Sequence, residues 1–159
     1  MKVRILTVSR RQPDWVDAGF NEYARRLATG MPLQLVEIPP VDRRGGASPE
    51  NVAQYKRQEG DKLLAQLRPR DTVVALDERG AALSTQGLAD LLGRWRQEGV
   101  APVFLIGGAD GLDAGVTARA QHCYSLAALT MPHGLVRIVL AEALYRAFSL
   151  LNNHPYHRP

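Results

Sequence analysis

Three stretches of this sequence hold residue types that chemistry uses. They are the adjacent glycines Gly107-Gly108, the run Pro132-His133-Gly134, and the closing His154-Pro155-Tyr156-His157-Arg158. Glycines let backbone approach a ligand closely and tolerate positive φ. A neutral imidazole accepts a proton near neutral pH. A tyrosine ring can stack on a base, and a guanidinium can grip a phosphate with two hydrogen bonds. Arg137 stands four residues after His133, near the start of a predicted helix. The helix dipole disfavours a cation there, which points to a ligand-binding role.

Familiar motifs are missing. A dinucleotide fingerprint starting at Gly107 needs glycines where Ala109 and Leu112 stand. No phosphate loop, zinc-protease H-E-x-x-H or esterase G-x-S-x-G occurs. Dehydrogenase, nucleotide-hydrolase, metalloprotease and esterase readings lose ground. Cys123 is the one cysteine, which excludes an internal disulfide and a cysteine-rich zinc site, so no metal is expected.

The elements that must position these residues alternate. Residues 2–8, 33–38, 72–76 and 102–106 read as strands, and 124–126 as a short last one. A helix opens at Pro13-Asp14, with Trp15, Phe20, Tyr23, Ala24 and Leu27 as its apolar positions, and Gly30 and Pro32 stop it. Residues 51–67 form a second helix, with Ser48 as N-cap and Pro49 in its first turn. Helices over 84–98, closed by Gly99, and 113–121 follow. Pro132 starts a long helix to about Leu151. Residues 39–49 are the clearest loop, and 77–80 turn away from the third strand.

This order implies an α/β fold, a mostly parallel sheet with helices on both faces. Ligands in such folds bind beyond the carboxyl ends of strands. Here those ends are Leu76-Asp77, Ile106-Gly107-Gly108 and the loop over 126–131. The last helix is apolar on almost every face, which suggests burial against a second copy of the chain or a central place in the core.

With 159 residues, a single domain over 1–159 is expected. The longest apolar run, residues 100–106, is too short to cross a bilayer, so no membrane partner is expected. The first residues lack a secretory h-region, and a cytoplasmic location fits. The net charge of +4 mildly favours a polyanionic partner. However, 17 of the 20 basic residues are arginine, as a GC-rich genome alone would produce. The pairs Arg10-Arg11, Arg25-Arg26 and Arg43-Arg44 are candidate phosphate contacts, or simply solvated charges.

Taken together, FLIGGADGL, LAALTMPH and PHGLVRIVLAEALYRAFSLLNNHPYHRP resemble the bacterial ribosomal large-subunit methyltransferase H family, of the SPOUT superfamily. PDWVDAGFNEYARRL and MPLQLVEIPP extend the resemblance over essentially the whole chain. His154 before Pro155 and a final Pro159 depart from the pattern without interrupting it.

The resemblance implies S-adenosylmethionine as cofactor and N3 of a pseudouridine in 23S rRNA as methyl acceptor, within the assembled ribosome. It implies a C-terminal trefoil knot and a homodimer. Cofactor contacts are implied at Leu76, at Gly107 with its neighbour Gly108, and at Leu126, Ala127, Ala128, Leu129, Thr130 and Met131. It leaves the base unassigned. His133 and His157 are candidates for accepting the N3 proton. Arg137 and Arg158 are candidates for stabilising developing charge or holding a phosphate, and Tyr156 for stacking or closing the pocket. Two rivals are a non-catalytic ribosome- or RNA-binding factor of the same fold and a small dinucleotide oxidoreductase.

Overall fold

The computed structural model describes residues 1–156. Its elements run β1 (Val3–Val8), α1 (Asp14–Leu27), β2 (Leu33–Ile38), α2 (Pro49–Ala65), β3 (Thr72–Ala82), α3 (Thr85–Glu98), β4 (Pro102–Ile106), α4 (Ala114–Arg119), β5 (His122–Ser125) and α5 (His133–Leu151). The strands form one parallel sheet in the order β2-β1-β4-β3-β5. The alternation expected from the sequence is therefore observed.

Side chains of a strand alternate between the faces of a sheet, and here each face has its own core. Val3, Ile5, Val74, Leu76, Phe104 and Ile106 meet α1, α3 and α5. Leu6, Val8, Val73, Ala75, Val103 and Leu105 meet α2 and α4. Both faces of β4 are buried, so PVFLI carries no polar residue.

Helix α5 lies between α1 and α3 on the first face. Leu140, Ala141, Leu144 and Ala147 point into the core, while Tyr145, Phe148 and Leu151 pack at its flanks. Flanking helices thus cover much of the apolar circumference. Gly19 sits against Ile138 and Gly30 against the Phe148 ring, so two glycines of α1 and its exit let α5 settle close.

Ser48 and Ser84 cap α2 and α3 by accepting the amide N–H of Asn51 and Gly87. Gly99 closes α3 at a φ of 70°.

Five expectations need correction, among them the fourth helix, which ends at Arg119 and not at Gln121. Trp15 is 59% exposed, and Val16 takes the inward position, because the buried stripe of α1 runs through Val16, Phe20 and Leu27. Residues 77–80 do not end β3. The strand bulges there and resumes, so that both Leu76 and Ala81 pair with Tyr124. Strand β5 spans His122–Ser125, which leaves Leu126 in the following loop. Helix α2 ends at Ala65, two residues early.

Candidate active site

A cleft of about 390 Å³ opens beyond the carboxyl ends of β3 and β4, where parallel α/β sheets place ligands. Its size lies within the usual range for small-molecule sites. Three segments and one helix end form it.

The first segment is the β3 bulge. Leu76 ends the regular part of the strand, and Asp77, Glu78 and Arg79 swing to the rim. Asp77 accepts the Arg79 amide N–H at 2.9 Å, which folds the bulge. Gly80 lets the strand return. A Cβ there would lie 2.6–2.8 Å from the Tyr124 backbone.

The second is the turn after β4. Gly107 and Gly108 lead into it, and the Gly111 N–H closes it onto the Gly108 carbonyl at 3.1 Å. Gly111 has a φ of 82°. A Cβ on Gly107 would lie 2.6 Å from the Gly111 carbonyl carbon. The glycine is therefore demanded first by the turn's own backbone.

The third is the loop over 126–131. Leu126, Ala127, Leu129, Thr130 and Met131 face the cleft, and Ala128 is outside the lining. Leu129 is 78% exposed. The Thr130 hydroxyl donates to Glu78 Oε2 at 2.7 Å, tying this loop to the bulge across the rim.

The helix end is that of α5. His133 sits in its first turn and lines the cleft. Its Nδ1 is buried without a partner among the described residues. Burial, and then the nearby Arg137 cation, lower its pKa below the ordinary 6.5. The ring is therefore neutral at neutral pH.

Arg137 is fully buried, one turn behind His133 and outside the cleft lining. It donates to Glu37 Oε2 at 3.2 Å and to Ser9 Oγ at 2.9 Å. It thereby joins α5 to the ends of β1 and β2. Tyr156 lies elsewhere, folded back onto the middle of α5. Its hydroxyl donates to Glu142, and its ring packs 4.6 Å from Tyr145. Burial and neighbouring Tyr23 and Glu142 raise its pKa to about 12, so it stays protonated. His157 and Arg158 lie outside the described residues.

The structure thus gathers Leu76, Gly107, Gly108, five residues of the last loop and His133 around one cleft. Arg137 and Tyr156 are not brought into it. Sequence reading missed Glu78 and Asp110 as lining residues. A signal was available for both: Asp110 comes four residues after β4, and Glu78 follows the apolar run 72–76 directly after Asp77.

The arginine pairs differ from one another. Arg25 and Arg26 pair with Glu22, and Arg44 with Asp42. Arg43 is held by Glu59 and Asp110. Arg10 and Arg11 are exposed, with no ion pair among the described residues. Among the described residues no helix is long and apolar enough to cross a membrane, and no cluster of metal-ligating side chains occurs.

Comparison with known proteins places these features in context. A family described as predicted SPOUT methyltransferase matches residues 1–157. The chain is 47% identical over 158 residues to the ribosomal RNA large subunit methyltransferase H of Paraburkholderia phymatum, covering 99% of each. It is 48% identical over 160 residues to the protein so named in Psychrobacter cryohalolentis, again covering 99% of each. Among solved structures, a probable methyltransferase from Bordetella pertussis shares the fold, with a TM-score of 0.58, 19% identity and 94% of each chain covered.

Proposed function

The chain belongs to the SPOUT methyltransferase family, within the ribosomal RNA large subunit methyltransferase H group, and on that premise we propose that it methylates large-subunit ribosomal RNA with S-adenosylmethionine as donor. The acceptor is N3 of a pseudouridine in 23S rRNA, in the assembled ribosome. The observation that carries this reading is the meeting of three strand-end loops with a neutral imidazole in one cleft.

The lining suits the donor. Leu76, Ile106, Leu126 and Val136 offer apolar walls for a purine, and the glycine turn bares peptide groups for hydrogen bonds. Asp77 and Glu78 supply carboxylates at the rim, complementary to cationic groups. When bound, the donor supplies a methyl group on a positively charged sulfur, which leaves as a neutral thioether.

The chain's own residues supply the rest. N3 of a pseudouridine keeps its proton at neutral pH, and its lone pair must be freed for attack. His133, held neutral, accepts that proton. Burial and then the adjacent Arg137 keep the imidazolium disfavoured, so the proton passes on to water in the cleft. Sealed from solvent, Arg137 acts on the substrate through His133 and not by touching phosphate. His157 is the other candidate base. Arg158 and Tyr156 belong to the substrate side, contributed by the tail, and Arg10 and Arg11 are phosphate contacts.

The same reading takes residues 1–159 as one domain with a C-terminal trefoil knot. It pairs two copies through α5, whose Leu135 is 38% exposed, and locates the protein with ribosomes in the cytoplasm.

Methyl-labelled donor incubated with protein and unmodified ribosomes tests the proposal, with nucleosides separated by mass spectrometry. The expected label is on 3-methylpseudouridine from 23S rRNA. Binding of ribosomes without transfer would leave a non-catalytic factor, and failure to bind the donor would remove the reading altogether.

A further inference from the structure

Arg43, read from the sequence as a loop cation, is enclosed by acceptors. Its Nη1 and Nη2 approach Glu59 Oε2 and Oε1 at 3.0 and 3.1 Å, a two-pronged pairing. Its Nε and Nη2 reach Asp110 Oδ2 at 3.2 and 2.8 Å. Nη1 also points at the Val41 carbonyl at 3.4 Å, and the Tyr55 ring lies 5.6 Å from the guanidinium carbon. Every nitrogen of the fork has a partner inside the protein.

The two carboxylates come from different places. Glu59 belongs to α2, is 2% exposed, and also accepts the Val41 N–H at 3.2 Å. Asp110 belongs to the turn over 107–112 that lines the cleft. Among the described residues, it is the one side chain of that turn hydrogen-bonded to another segment. Glu59 also floors the turn: a Cβ on Gly108 would lie 3.2 Å from Glu59 Oε1. Glu59 packs beneath the turn, and Arg43 holds the turn's Asp110 side chain from one side.

We propose that Arg43 is a positioning residue for the cofactor turn, acting through Asp110 and anchored by Glu59. The inference rests on the donor binding in this cleft, as argued above. It makes Arg43 a support of the donor site and removes it from the phosphate contacts.

The test uses the full chain and four variants: Asp110→Ala, Arg43→Lys, Arg43→Ala/Glu59→Gln, and the triple variant joining the first and third. The double change avoids leaving a buried carboxylate unpaired. Amide hydrogen exchange over 107–112 is measured without ligand, donor affinity by calorimetry, and 23S rRNA affinity as a function of salt. Asp110→Ala and the double variant should each speed exchange in the turn. Each should weaken donor binding by about tenfold, the scale of one lost charged hydrogen bond. KM for the donor should rise while kcat at saturation holds. The triple variant should be no worse than either, because both changes cut one tether. Arg43→Lys should recover part of the effect, since an ammonium is a point charge without the fork.

Unchanged turn exchange and donor affinity in both variants would overturn the proposal. So would a weakened RNA affinity with the salt slope lowered by about 0.7–0.9, the signature of one lost phosphate contact. If the unaltered protein fails to bind the donor, the functional reading falls, and hydrogen exchange alone still decides whether Arg43 holds the turn.

Discussion

His133 and Arg137 stand one helical turn apart with opposite surroundings, one at the cleft and one sealed inside. Their coupling makes a pH prediction. A base must be unprotonated to act, and the pKa of His133 lies below 6.5. Turnover at saturating donor should therefore stay level as pH falls through 6.5 and drop only below it. If His157 were the base, the profile would be unaffected by His133→Ala. As the base, His133→Ala should cost about 10²–10⁴-fold in kcat. Stability has the same sign. Below 6.5 the unfolded chain takes up the proton first, so folding free energy is full above that pH and declines as pH falls. Replacing Arg137 by Met removes the neighbouring cation, and the imidazole titration followed by NMR should move upward. The same change should destabilise by on the order of 2–3 kcal/mol. That is less than for a fully sealed pair, because Glu37 reaches water. The dipole argument correctly flagged Arg137 as unusual, but a single sequence does not tell a ligand contact from a buried brace. Glu37 lies 100 residues away in the chain.

At the scale of elements, the cleft depends on two glycines whose neighbours are backbone. Gly107→Ala puts a Cβ 2.6 Å from the Gly111 carbonyl carbon, and Gly80→Ala puts one 2.6 Å from that of Tyr124. Neither neighbour can rotate away, so each change should destabilise by about 1–3 kcal/mol in a thermal melt. Their functional effects should differ. Gly107→Ala opens the turn and weakens donor binding directly. Gly80→Ala disturbs the bulge and with it the Glu78–Thr130 tie, so the loop over 126–131 should lose hydrogen-exchange protection. Strands, caps and helices were legible because they follow local rules: Ser48 and Gly99 mark helix ends as the sequence implies. The bulge was not. Asp77-Glu78-Arg79-Gly80 has the composition of a turn, and only pairing with β5, more than 40 residues on, carries the strand past it. Trp15 misled for a related reason. Helical periodicity allows it or Val16 inward, and the approach of α5, whose Gly134 leaves a gap filled by Gln12 and Val16, decides between them.

At the scale of the molecule, the position of Tyr156 is the main argument for a shared site. His133 starts α5 at the cleft, while Tyr156 binds Glu142, nine residues further along. That separation is about 14 Å along the helix axis. Tyr156 therefore rests away from its own cleft, held among Tyr145, Glu142 and Arg26. Whether each tail serves its own cleft or that of a second copy has a decisive test. One subunit carries His133→Ala, with an intact tail. The other ends at Asn153, with an intact cleft. Each alone should be inactive as a homodimer. If the tail serves the partner, mixed dimers hold one complete site, built from the truncated chain's cleft and the other chain's tail. Co-refolding equal amounts should then restore about a quarter of the unaltered activity, from half the dimers with one working site of two. If each tail serves its own cleft, no combination contains a complete site and the mixture stays inactive. Carrying different affinity tags on the two chains and isolating the dimers that bear both establishes that mixed dimers formed, so inactive mixed dimers would refute the shared site.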